Sequence, residues 1–255
     1  MQQVHSDKVV ETEGLSGRAP ALVLCEHASH NFPPRFGTLG LSEEVQLSHA
    51  AWDPGALDLA RSLAAYLGAP LVASRVSRLL YDCNRPPEAP GAMTERSERF
   101  EIPGNKGLTE QARLVRTEQI YVPFCNAVSH ALEVAKPKAL ITMHTFTPVY
   151  NGARRPVEIG VLHDTDSRLA DAMLDNTGEN PPYRVERNDP YGPEDGVTHS
   201  LKLHALPRGL LNVMIEVRND LVADKQGLAE VSSWLNPLIA RGLEVCCVEM
   251  EGQVR

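Results

Sequence analysis

Two apolar runs in this chain end in histidine. Ala21-Leu-Val-Leu-Cys25 leads into Glu26-His27-Ala28-Ser29-His30, and Ala139-Leu-Ile-Thr-Met143 runs directly into His144. Apolar runs of this length, bounded by polar residues, predict buried strands of the parallel type. In open α/β sheets ligands bind outside the carboxyl ends of such strands. Two such ends therefore bring two imidazoles over one crevice, where they suit a zinc site or a proton-transfer site.

The rest of the chain supports that architecture. Further strands are predicted at Pro70–Ala73, Leu79–Cys83, 157–162, 183–187 and 210–217. Helices are predicted at Ser42–Ala51 with Ser42 as N-cap, at 55–67, at Thr109–Ala135 with a bend at Pro123, at 166–175 and at 226–242. Strands alternating with helices imply an α/β fold, a mainly parallel mixed sheet with helices on both faces. No linker divides the chain, so the expected organisation is a polar lead-in at 1–18, one domain at 19–245 and a tail at 246–255. The Pro- and Gly-rich stretch 86–107 is a long loop, of a kind that is usually functional.

Composition narrows the function. A net charge of −8 argues against nucleic acid or an acidic membrane as partner. No run reaches the length of a membrane span and the N-terminus has no signal core, so the expected location is the cytoplasm. The five cysteines are odd in number and lack C-x-x-C spacing, which excludes a disulfide framework. Against this acidic background Arg75, Arg78 and Arg85 cluster, as an anion pocket would require.

A catalytic zinc takes three protein ligands and leaves a position for water. His27 and His144 are two candidates. For the third, His30 and Asp53 are nearly equal: His30 forms H-x-x-H with His27 but in a loop, while Asp53 before Pro54 reads equally as a helix N-cap. Glu216 interrupts the apolar run Leu210–Val217, where a carboxylate is rarely buried unpaired. It reads either as an ion pair with Arg218 on the same strand face or as a general base. Arg78, Asn84 and Arg85 flank Leu79–Cys83, and Arg85 at the carboxyl end suits a substrate carboxylate. Asp82 faces away from Cys83 and is expected to orient the arginines. His204 stands either near the crevice or on the surface. With Arg218 it completes the candidate substrate-binding set.

Taken in order, five motifs resemble the N-formylglutamate amidohydrolase family: Cys25-Glu-His-Ala-Ser29, Ala51-Trp-Asp-Pro-Gly-Ala56, Ser77-Arg-Leu-Leu-Tyr-Asp-Cys-Asn-Arg85, Met143-His-Thr, and Ile215-Glu-Val-Arg-Asn-Asp220. The resemblance spans about residues 20–242. It implies a zinc-carboxypeptidase-like (phosphorylase/hydrolase-like) fold, one Zn2+ per chain held by His27, Asp53 and His144, and Glu216 as general base. It favours Asp53 over His30, because family members often carry Asn at the latter place. Asn84 and Arg85 resemble the Asn-Arg pair with which related enzymes hold a substrate carboxylate. The implied activity is zinc-dependent hydrolysis of an N-acyl acidic amino acid, N-formyl-L-glutamate above others, to formate and L-glutamate. Alternatives are a zinc amidase for another N-acyl amino acid or a peptidoglycan-type amide, and a non-catalytic protein that binds an anion.

Overall fold

A computed structural model describes residues 8–253. In chain order the strands are β1 (Val10–Glu13), β2 (Ala21–Cys25), β3 (Leu71–Ser74), β4 (Arg96–Ser97), β5 (Phe100–Glu101), β6 (Ala139–Phe146), β7 (Val149–Tyr150), β8 (Ala153–Arg154), β9 (Ile159–Leu162), β10 (Val185–Arg187) and β11 (Leu211–Arg218). The α-helices are α1 (Glu43–Leu47), α2 (Ala56–Leu67), α3 (Glu110–Arg116), α4 (Val122–Ala135), α5 (Arg168–Asp175) and α6 (Lys225–Gln253).

Seven strands form the main sheet in the order β1-β3-β2-β6-β11-β9-β10. The centre is parallel, β3 to β2 to β6 to β11, whereas β1 and β9 join antiparallel. The single α/β domain with a mainly parallel mixed sheet is the expected one. Alternation along the strands divides the core. Val23, Ile141, Val213 and Ile215 pack with α2, α5 and α6 on one face, and Leu22, Leu24, Leu140 and Met214 pack with α4 on the other. Helix α2 buries Ala56, Leu59, Ala60, Leu63 and Ala64, the three-to-four spacing of one helical face.

The strand expected at Leu79–Cys83 does not form. Ser77 folds the segment into a turn: its carbonyl accepts from the Leu80 and Tyr81 amides, and its hydroxyl accepts from the Leu79 amide. The Leu79 and Leu80 carbonyls are met by side chains, Asn105 Nδ2 at 2.8 Å and Arg116 Nη1 at 3.3 Å, so the backbone is satisfied without a sheet partner. An apolar run marks burial, and here the burial belongs to a turn. The helix expected at 42–51 is shorter, ending at Leu47, although Ser42 caps it as predicted. The 109–135 helix is continuous through a wide π-turn at Thr117–Tyr121, just before Pro123. Part of the expected lead-in, residues 10–13, is the edge strand β1, while residues 1–7 lie outside the described residues. The last helix runs on past residue 245 to Gln253, and residues 254–255 lie outside the described residues. Among the described residues, no helix is long and apolar enough to cross a membrane.

The corner before α2 depends on Gly55. Its φ of 85° is left-handed, and a Cβ there would stand 2.6 Å from Val222 Cγ2. Gly55→Ala is expected to destabilise the fold by about 1–3 kcal/mol, read as a lower urea midpoint at unchanged slope.

Candidate metal centre

Three chain segments meet at the carboxyl end of β2 and β6, and backbone bonds fix them to one another. The Asp53 amide donates to the His27 carbonyl at 3.0 Å. The Ser77 hydroxyl and the Arg78 amide both donate to the Ala51 carbonyl, tying the 77–85 turn to the same corner. Thr145 Oγ1, one residue beyond His144, donates to the Pro54 carbonyl at 2.8 Å. Asp53 is consequently not the N-cap of α2, a place taken by Gly55. Its side chain is left to turn toward the histidines.

His27 Nδ1, His144 Nδ1 and Asp53 Oδ2 converge. The two nitrogens are 3.2 Å apart, and the carboxylate oxygen lies 3.2 Å from His27 and 2.9 Å from His144. Donors about 2.0–2.1 Å from a tetrahedral metal ion stand roughly 3.3 Å from one another. All three residues are buried and form a group that could hold a metal ion. Carboxylates sit behind both rings. His27 Nε2 contacts Asp82 Oδ1 at 2.7 Å, and His144 Nε2 lies 3.2 Å from Glu26 Oε2. A neutral ring that keeps its Nε2 proton toward the carboxylate behind it presents an Nδ1 lone pair inward, the way carboxylates behind ligating histidines orient them.

The electrostatics also call for a cation. Glu26, Asp53, Asp82 and Glu216 are all at least 96% buried; Arg78 is set among them, its Nη1 and Nη2 3.3 Å from Asp53 and 3.2 Å from Asp82, and Arg85 Nε stands 3.9 Å from Asp82. Burial opposes ionisation of Asp53 and Asp82, but the adjoining histidines and Arg78 hold both well below the usual carboxylate range. Burial raises the Glu216 carboxyl to about 7, only partly offset by His144. In the parallel pairing of β6 and β11, Glu216 is the direct partner of His144, so both project from one face of adjacent strands. Glu216 Oε2 is buried without a hydrogen-bond partner.

These groups open into a cavity of about 300 Å³ whose walls include His27, Asp53, Arg78, Arg85, Tyr191 and Glu216. The family model for N-formylglutamate amidohydrolase matches residues 19–223. The chain belongs to the N-formylglutamate amidohydrolase family. Its fold is similar to that of a gene product of Agrobacterium tumefaciens, 54% identical over 93% of this chain and 96% of that one, with a TM-score of 0.90. It is also similar in fold to the N-formylglutamate amidohydrolase of Ralstonia eutropha JMP134, at 19% identity, with a TM-score of 0.68 over 94% and 99% of the two chains. No match was found among curated proteins.

In this family member the predicted residues divide clearly by position. His27, Asp53, His144, Glu216, Arg78, Asn84 and Arg85 all line the cavity. His144 and Glu216 lie inside their strands, which run on to Phe146 and Arg218, and not beyond them. His30 instead packs edge-on against Trp52, ring centroids 4.9 Å apart. Two residues of the expected substrate-binding set lie outside the cavity lining. Arg218 pairs with Glu158 at 3.2 Å and Asp220 at 2.7 Å, not with Glu216, and does not line the cavity. His204 is buried in the turn Leu201–Ala205, outside the cavity lining, where burial lowers its pKa to about 4. Asn84 reaches the cavity with its amide already engaged: Oδ1 accepts from the Ser200 amide and Nδ2 donates to the Val197 carbonyl. The structure adds Glu26 and Asp82 behind the histidines. Glu26 carried the same signal as Glu216, a carboxylate attached to an apolar strand run.

Asp53→Ala is expected to abolish binding of a divalent metal, whereas His30→Ala retains it, as measured by elemental analysis of protein purified without chelator. Asp82→Asn should weaken metal affinity about 10–100-fold, measured by competition with a chromogenic chelator. Loss of metal in the His30 variant with retention in the Asp53 variant would reverse the assignment.

Proposed function

We propose that the chain is a zinc-dependent amidohydrolase that cleaves the amide bond of an N-acyl acidic amino acid, with N-formyl-L-glutamate the leading substrate and formate and L-glutamate the products. One observation carries this reading: two histidine nitrogens and a carboxylate oxygen converge inside a cavity whose wall also holds a buried glutamate, its Oε2 without a hydrogen-bond partner, in register with one of those histidines. The donor set of two imidazoles and one carboxylate suits zinc and is one short of a closed structural site. Held by His27, Asp53 and His144, zinc supplies Lewis acidity toward the amide carbonyl and toward water.

The remaining chemistry falls to the protein's own groups. Glu216, whose carboxyl burial raises above the ordinary range, stands in register with His144 at the cavity wall, where a carboxylate can exchange protons with water and amine. It takes the proton of the attacking water at its carboxylate and delivers it to the departing amine nitrogen. Arg85, at the cavity wall with its guanidinium steadied by the Asp195 carbonyl, is suited to the α-carboxylate, because its planar fork fixes the orientation of what it holds. Asn84 supports that seat by clamping the 197–200 segment to the turn that carries Arg85. Arg78 acts mainly on the protein itself, holding Asp53 and Asp82 ionised. A fixed substrate beside a fixed base converts binding into rate.

Glu216→Gln is expected to lower kcat by about 10²–10⁴-fold while zinc content stays unchanged. Turnover of N-formyl-L-glutamate, followed as released formate and abolished by a chelator, is the direct assay, with a panel of N-acyl amino acids defining the acyl group. Full activity in the Glu216 variant would remove the general-base role. No hydrolysis of any N-acyl amino acid by zinc-loaded protein would remove the proposed function.

A further inference from the structure

We propose that Arg155 and the Tyr191 hydroxyl form a second carboxylate subsite at the cavity, seating the side-chain carboxylate of the substrate. The proposal rests on the acidic N-acyl amino acid substrate argued above and names the residues that select it. A substrate of that class carries two carboxylates, and the protein that must receive it has a net charge of −8 and acidic groups already in the cavity wall. Two cationic seats are needed. Arg78 does not supply one readily, since it bridges Asp53 and Asp82, which leaves Arg85 and one seat to find.

Arg155 meets the requirement. The chain leaves β6 at Phe146, turns through the β7–β8 hairpin and returns, and the Arg155 amide donates to the Pro148 carbonyl at 2.9 Å. This return sets the guanidinium against three rings that line the cavity: 4.4 Å from the Tyr150 centroid, 4.8 Å from Tyr191 and 5.5 Å from Phe146. Its one side-chain hydrogen bond goes from Nη1 to the Tyr191 hydroxyl at 2.9 Å, and among the described residues it forms no ion pair with a carboxylate. Aromatic faces hold a guanidinium without neutralising it. The Tyr191 oxygen accepts from Arg155, so the phenolic hydrogen is directed elsewhere and is available to an anion. An unneutralised arginine packed on the rings of the cavity wall, and bonded to a phenol that itself lines the cavity, is built for a carboxylate.

The test is binding of L-glutamate and L-glutamine to zinc-loaded protein by titration calorimetry, alongside kcat/KM for the two N-formyl derivatives. Wild type is expected to favour glutamate. Arg155→Gln should reduce the glutamate-to-glutamine ratio by about 10–100-fold, mainly through KM. Tyr191→Phe should reduce it less, and Arg155→Lys should restore part of it. If Arg155→Gln melts early, the Lys and Phe variants carry the measurement. Equal losses for both ligands would assign Arg155 a structural role and overturn the subsite. So would an unchanged ratio in every variant. A wild type that hydrolyses N-acyl amino acids yet prefers neutral ones would also overturn it, with the amidohydrolase reading left standing. Absence of any hydrolysis would instead count against that reading.

Discussion

Buried negative charge is the constraint around which the rest of this molecule is arranged. Glu26, Asp53, Asp82 and Glu216 lie within one region at the carboxyl end of the central strands, and carboxylates withdrawn from water are costly unless neutralised. Arg78 answers Asp53 and Asp82, His27 turns its Nε2 to Asp82 and His144 turns its Nε2 to Glu26, while Glu216 Oε2 keeps no hydrogen-bond partner. That choice leaves both Nδ1 atoms facing each other and Asp53. The same contacts that relieve the carboxylates thus create a converging set of lone pairs, which is stable when a cation sits among them. Placing Asp82 and Glu26 behind the rings is therefore part of the candidate metal site and not a separate stabilising device.

The sheet makes this concentration of charge possible without breaking the core. Side chains alternate along a strand, so polar residues can enter one face while the other stays apolar. On β6 the site face reads Leu140, Thr142, His144, and on β11 it reads Asn212, Met214, Glu216. The opposite face of the same strands is Ile141, Met143, Val213 and Ile215, packed under α2, α5 and α6. Parallel pairing then fixes which site residues become neighbours, and it makes His144 the partner of Glu216. A one-residue slip between β6 and β11 would move one of them to the helix-packed face.

Much of this was legible in the sequence because apolar runs and the residues that interrupt them are local signals. The strand that leads to His27 and the strands that carry His144 and Glu216 were readable from the run lengths, and Glu216 was conspicuous as a carboxylate among apolar neighbours. Other features depended on contacts distant in sequence. Asp53 and His30 could not be separated locally, because Asp-Pro is also a capping pattern; Gly55 in a left-handed conformation takes the cap instead and frees the aspartate. Leu79–Cys83 reads as a strand by hydrophobicity, yet its carbonyls are bonded to Asn105 and Arg116, residues no local pattern connects to it. Arg218 shares a strand face with Glu216, but strand geometry alone does not show that Glu158 and Asp220 stand closer. Asp82 was expected to orient arginines, and it does contact Arg78, but its shorter bond is to His27.

The arginines in and beside the cavity illustrate why residue type alone misjudges binding capacity. Arg78, Arg85 and Arg155 are chemically identical, and the sequence draws attention to the first two because they cluster near a recognisable motif. Their surroundings differ. Arg78 lies between two carboxylates, so a substrate anion there would compete with Asp53 and Asp82 for its donors. Arg85 donates to the Asp195 carbonyl and stands 3.9 Å from Asp82, so it keeps more of its charge available. Arg155 is bounded by aromatic rings and a phenol oxygen, none of which carries a formal negative charge. Attraction for any anion follows the charge that neighbours leave uncancelled, and by that measure the order is Arg155, then Arg85, then Arg78.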